Sequence, residues 1–272
     1  MRIFQTLFGK LMMDRSSKGA DLAEIRELFP FDGPVYAVGD VHGCLDAFRQ
    51  IEALILQDSA RFATAPTIVL LGDMVDRGPQ SAALIDHLRS LQRAGLRVIA
   101  LKGNHEEMML QFLAKPEANM SWLEFGGLET LASYGIDITE IARASGRKMA
   151  QILAAYIPQN HIHFLQKTLF GLQVGPFLLT HAGADPDQPL TAQPIRALLW
   201  GDAGQIAPQD LVLVHGHYVV AEPMVSPRCV SIDTGAYING RLTCLRLLPK
   251  AQPAILTLNA SNTFTDLDYD VF

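Results

Sequence analysis

The residues of this chain that are best suited to chemistry are carboxylates, amides and imidazoles that directly follow short apolar runs. Five such runs end in polar clusters, in the segments VYAVGDVHG, TIVLLGDMVDRG, VIALKGNHE, FLLTHAG and LVLVHGH. Mixed oxygen and nitrogen donors of this kind suit divalent metal ions, so the set predicts a two-metal site. The run ends together supply Asp40, His42, Asp73, Asn104, His181, His215 and His217.

The distribution of histidines supports this prediction. One histidine beside a strand is more often a hydrogen-bonded structural residue than a ligand. Five histidines in the same kind of position favour a shared chemical role instead. Of the 8 histidines, the five at run ends are His42, His105, His181, His215 and His217, and His87, His161 and His163 lie elsewhere.

The first two motifs offer a carboxylate–imidazole pair and a bridging carboxylate. In extended backbone, alternate residues face the same side, so Asp40 and His42 can bind one metal ion. Asp73 ends its strand, where a shared anion would offset the repulsion between two cations about 3.5 to 4 Å apart. Asp76 and Arg77 follow beyond the turn.

The other three motifs can complete the coordination of a second metal ion and supply a proton-transfer group. The Asn104 carbonyl can bind a metal ion without adding charge, which leaves His105 free for proton transfer. His181 and one histidine of the HGH segment would complete the coordination of the second metal ion. The spacing alone leaves open whether His215 or His217 is that ligand.

The predicted elements bring these motifs to one edge of a sheet. Strands are predicted over residues 34–39, 67–71 and 96–101, with a helix in each gap. Asp46 is predicted to cap the first helix, and Pro79 to open the second. The three motifs that follow these strands are 33 and 31 residues apart, about one strand–helix–strand repeat each.

The remaining sequence predicts a second layer and a helical insertion. EEMMLQFLA and MAQILAAYI are predicted helices, and WLEFGGLETLASYGI carries the glycines of a turn. Short strands from 171 to 248 predict a second sheet layered on the first. The predicted class is α/β, a two-sheet β-sandwich flanked by helices, with a helical insertion around 106–170. It is predicted as one domain over 1–272, with its core at about 34–248 and peripheral segments at 1–30 and 257–272, the latter poorly packed.

Composition excludes several classes of protein. The 272 residues are 49% hydrophobic, and the net charge of −6 argues against binding a nucleic-acid polymer through many phosphates. The 3 cysteines lack CxxC spacing, which favours a reducing compartment over a disulfide framework. With no apolar stretch near 20 residues, the chain is predicted to be cytoplasmic and independent of membranes. Residues 1–13 show only short amphipathic patches.

The ordered set GDVHG, GDMVDRG, GNHEE, HAG and GH resembles the calcineurin-like metallophosphoesterases. The DRG and GNHE segments are similar to those of the phosphoprotein phosphatase branch and its bacterial relatives, often described as serine/threonine phosphatases. The resemblance covers roughly residues 34–248. It implies an αβ sandwich with a dinuclear metal centre.

The resemblance also implies a role for each matching residue. His105 looks like the family's general acid, oriented by Asp76, and the Asp76 carboxylate is expected to raise the pKa of His105. Arg77 looks like the phosphate clamp, with Asn104 beside it. The implied metal ligands are Asp40 and His42 for the first ion, Asp73 as the bridge, and Asn104, His181 and His217 for the second.

These roles predict a metal-dependent phosphoric-ester hydrolase. Two divalent ions, manganese first and iron, zinc or cobalt as alternatives, would generate a bridging hydroxide that attacks phosphorus. The first expectation is a phosphomonoesterase acting on phosphorylated protein. The alternative is a hydrolase of small phosphorylated substrates, namely dinucleoside polyphosphates, and the rival of another class is a non-catalytic phosphate-binding scaffold.

Some residues depart from the family pattern or have two interpretations. Many relatives carry a second phosphate-binding arginine after the LLW segment, where this chain has Gly201 and Asp202, and Arg196 or Arg241 could replace it. Asp233 is expected to fix a turn or support a ligand. The aromatic residues Trp122, Tyr134 and Trp200 are more typical of core than of a substrate groove.

Overall fold

The computed structural model describes residues 21–202, 204–208, 210–258 and 262–267. Its strands are β1 Leu22–Ala23, β2 Arg26–Glu27, β3 Val35–Val38, β4 Thr67–Leu70, β5 Arg97–Ala100, β6 Gly171–Val174, β7 Phe177–Thr180, β8 Gln193–Pro194, β9 Val212–His215, β10 Met224–Ser226, β11 Cys229–Ser231, β12 Thr243–Leu247, β13 Ala254–Thr257 and β14 Thr265–Asp266. Its α-helices are α1 Leu45–Ser59, α2 Ser81–Arg93, α3 Asn104–Ala114, α4 Gly127–Ser133, α5 Ile138–Arg143, α6 Gly146–Tyr156, α7 Gln159–Gln166, α8 Ile195–Trp200 and α9 Ala236–Asn239. Short 3-10 helices span Pro116–Ala118, Met120–Phe125 and Leu190–Ala192.

The first sheet carries three of the chemical motifs on neighbouring parallel strands. Its order is β14-β13-β12-β3-β4-β5. Val38 pairs with Leu70, and Leu70 pairs with Ala100, so the three strands end side by side. The segments after β3, β4 and β5 therefore start from one edge, as the sequence predicts, and α1 and α2 make the crossovers.

The second sheet lies against the first and confirms the predicted two-layer α/β class. Its order is β10-β11-β9-β7-β6-β2, with β7, β9 and β11 parallel. Val35 and Val69 of the first sheet share one buried apolar layer with Leu179 and Val214 of the second. The carboxyl ends of β7 and β9 thereby deliver the two remaining histidine motifs to the same region.

One predicted strand belongs to the other sheet. Residues 243–247 were expected among the strands of the second sheet, but β12 pairs antiparallel with β3 in the first sheet. All five residues of β12 are buried, with Cys244 facing the helical core and Leu245 facing the layer between the sheets. A strand that is buried on both faces fits the middle of a covered sheet.

The insertion around 106–170 is helical, as predicted, and more continuously so than its glycines suggested. The segment expected as a turn forms a 3-10 helix over Met120–Phe125 and then α4, separated only by Gly126. Trp122 is 1% exposed and belongs to the same apolar cluster as Phe48 of α1. The aromatic residue was thus correctly expected to be core.

Both predicted helix starts are displaced. The first helix begins at Leu45 after Cys44, so Asp46 lies in its first turn and accepts a hydrogen bond from Gln80 Nε2 at 3.2 Å. The second helix begins two residues after Pro79. The backbone N–H of Gln80 donates to Gly43 O at 3.0 Å, which joins the loop before the second helix to the loop before the first. The second helix therefore begins only after Gln80.

The tail of the chain is packed as far as the structure describes it. Strand β13 pairs with β12, and β14 pairs with β13. Arg246 donates to Asp266 at 2.9 Å, so this part of the expected loose tail is held in the sheet. Residues 1–13 and 268–272 lie outside the described residues. Within the described ranges, no helix combines the length and apolarity that crossing a membrane would need.

Candidate metal centre

The centre is built from loops whose backbone is strained at the ligand positions. His42, Asp73 and His217 have φ values of 45°, 48° and 62°, in the left-handed region that non-glycine residues rarely adopt. Each such residue costs on the order of 1 kcal/mol or more and persists only where its surroundings hold it. Strain at three predicted ligands indicates that this edge of the fold is shaped for a function.

Asp73 lies at the middle of the centre. Its Oδ2 is 3.4 Å from His42 Nε2, 3.4 Å from His181 Nε2 and 3.9 Å from His105 Nε2. Two groups of three donors result, each with its ligand atoms within 4.8 Å of one another and both including Asp73. The groups are His42, Asp73 and His105, and Asp73, His181 and His217.

The ring orientations fit divalent cations. His42 and His181 each direct Nδ1 at a backbone carbonyl oxygen, at 2.8 and 3.0 Å, so Nδ1 carries the proton and Nε2 presents a lone pair. His181 Nε2 faces Asn104 Oδ1 at 2.9 Å and His217 Nδ1 at 3.1 Å. Several electron-pair donors aimed at one another are satisfied by a shared cation.

Asp40 lies beside these groups and contributes negative charge. Its two carboxylate oxygens accept the backbone N–H of His217 at 3.2 and 3.0 Å. Burial, then the charges of Asp233 and Asp73, raise the pKa of Asp40 well above its usual range. Three buried carboxyl groups in one region ionise readily only with cations among them, which again fits metal ions.

Asp233 fixes a turn, which is one of the two roles expected of it. Its Oδ1 accepts the backbone N–H of Gly235 at 2.9 Å and fixes the turn before α9. Its Oδ2 is buried and has no hydrogen-bond partner among the described residues. Burial raises the pKa of Asp233 to about 6. The carboxylate thus shapes the loop that lies close to Asp40.

His105 forms a buried pair with Asp76, but its protonation differs from the prediction. Nδ1 of His105 is 2.6 Å from Asp76 Oδ2, and its Nε2 is 3.1 Å from Nη2 of Arg77. The pKa of His105 is lowered to about 4, mainly by burial and to a smaller extent by the Arg77 charge, although the Asp73 charge opposes the shift. The pKa of His105 thus falls where a rise was expected, because burial disfavours the charged imidazolium. The pKa of Asp76 is itself raised to about 7 by burial.

Arg77 forms the open side of the centre together with a residue that sequence reasoning missed. Its guanidinium carbon lies 4.6 Å from the ring centroid of Tyr237. The Tyr237 ring also contacts His42 edge-on, with centroids 5.1 Å apart. Both Arg77 and Tyr237 are partly exposed, so they can meet a substrate. The position of Tyr237 inside the SIDTGAY segment was the available signal.

Both candidates for a second phosphate clamp are engaged in surface ion pairs. Arg196 Nε pairs with Asp202 at 2.9 Å. Arg241 pairs with Glu222 at 2.6 Å and also donates to a backbone oxygen. Arg77 therefore remains the arginine for which the described residues support a clamping role.

Glu106 is the second residue that the sequence did not reveal. Its buried carboxylate accepts the backbone N–H groups of Gly103, Asp73, Met74 and Val75, at 2.8, 2.8, 2.7 and 3.1 Å. A Cβ at position 103 would collide with the Asp73 carboxylate, so only glycine allows this approach. The sequence did contain one indication of this role, because Glu106 lies three residues after Gly103, a spacing at which a glutamate caps the start of a helix.

The structure distinguishes the two histidines of the HGH segment. His217 belongs to a three-donor group, and its ring lies 4.9 Å from that of His181. His215 donates from Nδ1 to Gly216 O at 2.8 Å, and its buried Nε2 has no partner among the residues described. Trp200 stands 6.0 Å from the His217 ring, so this aromatic residue borders the centre.

Comparisons with known proteins agree with this geometry. The sequence profile described as calcineurin-like phosphoesterase matches residues 33–240. The asymmetrical bis(5'-nucleosyl)-tetraphosphatase PrpE of Anoxybacillus flavithermus is 26% identical over 230 residues, covering 77% of this chain and 88% of that protein. The protein of the same name from Bacillus thuringiensis is 28% identical over 235 residues, with coverage of 77% and 88%. In fold, the chain is similar to the cold-active protein-tyrosine phosphatase of a psychrophilic Shewanella species, with a TM-score of 0.58, 15% identity, and coverage of 90% and 83%.

Proposed function

The chain belongs to the calcineurin-like phosphoesterase family, and from this membership we propose that it hydrolyses the phosphoanhydride bonds of dinucleoside polyphosphates with two divalent metal ions. One observation carries the part of the proposal that makes the chain a two-metal phosphoric-ester hydrolase. Two three-donor groups share Asp73, and the His105–Asp76 pair and Arg77 border them. Such an arrangement combines metal binding, proton transfer and phosphate recognition at one buried edge.

The proposed ligands follow the resemblance and the distances together. Asp40 and His42 would hold one ion, Asn104, His181 and His217 the other, and Asp73 both. When bound, the ions would polarise phosphoryl oxygens and activate the attacking water. The mixed donors accept manganese, which we favour, and also iron, zinc or cobalt.

The chain's own residues then guide the substrate and the proton. Arg77 binds phosphoryl oxygens from the open side of the centre. His105 takes up a proton at Nε2 from solvent and gives it to the leaving oxygen as the P–O bond breaks, while the proton that the attacking water loses passes to solvent. Asp76 holds the opposite nitrogen of the ring during both transfers. Water adds across the bond, and no phosphoenzyme forms.

Two observations support a polyphosphate substrate. The curated relatives described above are named as asymmetrical bis(5'-nucleosyl)-tetraphosphatases. In addition, Arg196 and Arg241 are held in ion pairs, which leaves Arg77 as the clamp. An internal phosphate of a polyphosphate carries one charge, whereas a phosphomonoester carries nearly two at neutral pH. A single arginine matches the former better.

Phosphorylated protein is the second candidate, and the His105–Asp76 pair favours it. A seryl or threonyl oxygen is a poor leaving group, so its release depends on a well-placed proton donor. The same pair matters less for an anhydride, whose leaving phosphate is far more acidic. The cytoplasmic location stays a prediction, supported by the three free thiols of Cys44, Cys229 and Cys244.

Turnover of two substrates by the manganese-loaded protein tests this function. We expect kcat/KM for diadenosine tetraphosphate to exceed that for a phosphoserine peptide by at least about tenfold, with ATP and AMP as products. Chelation with EDTA should abolish both activities, and added manganese should restore them. A preference for the peptide would establish the second candidate. Failure to cleave either substrate with manganese, iron, zinc or cobalt would point to a phosphate-binding scaffold.

A further inference from the structure

Asp76 and Arg77 share an uncommon backbone conformation. Their φ values are 73° and 68°, so two consecutive non-glycine residues lie in the left-handed region. Each costs on the order of 1 to 3 kcal/mol unless neighbouring groups fix it. Since Asp76 contacts the proton-transfer histidine and Arg77 is the clamp, whatever fixes this dipeptide also positions both groups.

The fixing contacts come from the helical insertion, far away in sequence. Trp122 Nε1 donates to Asp76 Oδ2 at 2.7 Å, and Thr130 Oγ1 donates to Asp76 Oδ1 at 2.7 Å. The Thr130 hydroxyl also accepts the backbone N–H of Asp76 at 2.8 Å, and Ser81 Oγ accepts the same N–H at 3.1 Å. Each oxygen of the Asp76 carboxylate therefore has its own donor in the insertion. All of these side chains are buried.

The backbone of the insertion holds Arg77 as well. The N–H of Arg77 donates to Gly126 O at 3.2 Å. Gly126 has a φ of 106°, and a Cβ there would lie 2.5 Å from the Arg77 nitrogen, so the position requires glycine. The residues from Trp122 to Thr130 therefore enclose the Asp76–Arg77 dipeptide from one side.

We propose that Trp122 and Thr130 are positioning residues for proton transfer, which they control by fixing the Asp76 carboxylate against His105. This inference rests on the proposed function, because it assigns the way in which that site orients its proton-transfer group. With both donors present, the carboxylate has one rotational setting, and Oδ2 directs a lone pair at His105 Nδ1. Without them the carboxylate can turn, and the imidazole loses its alignment with the leaving oxygen.

The closing experiment compares two aryl phosphates that differ in leaving-group acidity. Trp122→Phe keeps the ring and removes the N–H, and Thr130→Val keeps the shape and removes the hydroxyl. For each variant, kcat for phenyl phosphate should fall roughly 10- to 100-fold, while kcat for 4-nitrophenyl phosphate should fall less than about threefold. KM should stay unchanged for both substrates, since phosphate binding is retained. Thr130→Ser should restore phenyl phosphate turnover.

Tyr134→Phe is the matched control. It removes another buried hydrogen bond of the insertion, from Tyr134 OH to His161 at 3.0 Å, which lies outside the centre. It should lower neither activity. Equal losses on the two substrates, or no loss, in Trp122→Phe and Thr130→Val would overturn the positioning role.

A crystal structure of Trp122→Phe gives an outcome that does not depend on the substrate. We expect the contact of 2.6 Å between Asp76 and His105 to lengthen or to be lost. An unmoved Asp76–His105 pair would overturn the inference even if the chain hydrolyses phosphates. Conversely, if the wild-type protein cleaves no phosphate but the Trp122→Phe structure shows the expected movement, only the proposed function is refuted.

Discussion

Asp73→Asn should lower kcat for diadenosine tetraphosphate by about three orders of magnitude, because several kcal/mol of charge stabilisation would disappear and each 1.4 kcal/mol corresponds to about tenfold. Asp73 belongs to both three-donor groups, and no other described residue does. An amide of the same shape still fits the pocket but brings no charge to separate two cations. Steady-state kinetics and elemental analysis of the metal-saturated variant would measure both effects.

The same variant should bind fewer than two metal ions while it remains folded. Asp58→Asn provides the control, since Asp58 is a mostly buried carboxylate that pairs with Arg246 and Arg61 outside the centre. That change is expected to lower thermal stability but not the metal content. An Asp73→Asn protein with two ions and nearly full activity would show that Asp73 is not the bridge.

His105→Asn should reduce kcat for phenyl phosphate by about 10² to 10⁴, the range for loss of a positioned proton donor. The imidazole is buried, directs Nδ1 at Asp76 and points Nε2 toward Arg77 and Asp73. Asparagine can still hydrogen-bond to Asp76, but it cannot carry a proton to the leaving oxygen. Steady-state rates for phenyl phosphate and 4-nitrophenyl phosphate, measured in parallel, test this role.

The loss should be much smaller for substrates whose leaving oxygen is acidic. For 4-nitrophenyl phosphate and for the anhydride of a dinucleoside polyphosphate, the leaving group departs without full protonation. Metal content should equal that of the wild type, because the proposed ligand set does not need His105. A uniform loss on all substrates, accompanied by loss of metal, would instead make His105 a ligand of the group it forms with His42 and Asp73.

The sequence predicted which side chains lie close together better than it predicted the details of the fold. Parallel strands that end side by side explain why Asp40, Asp73 and Asn104 could be placed together from spacing alone. The sheet of β12 could not be assigned in that way, because its pairing with β3 joins residues about 200 positions apart. A short apolar run fits either sheet until its partner is known.

The protonation of His105 and the supports of Asp76 escaped prediction for a different reason. Both depend on burial and on contacts that span long stretches of chain. Trp122 lies 46 residues from Asp76, and Thr130 lies 54 residues away. Two separate motifs supply the Asp76 carboxylate and the His105 imidazole. They do not show that both groups are removed from water, which is what lowers the pKa of His105.

The order of the two candidate substrates also changed. Motif resemblance to the phosphoprotein phosphatase branch put phosphorylated protein first. The names of the curated relatives and the ion pairs that hold Arg196 and Arg241 now favour the polyphosphate alternative. The proposed metal ligands are the same for both candidates, so we expect substrate choice to depend on the open side, around Arg77 and Tyr237.

The most direct test of the account is anomalous diffraction from crystals grown with manganese. The account predicts two peaks about 3.5 to 4 Å apart, as in other two-metal sites, with an oxygen of Asp73 in contact with both. One peak is expected beside His42, and the other beside His181 and His217. A single peak, or a pair of peaks that Asp73 does not touch, would contradict it.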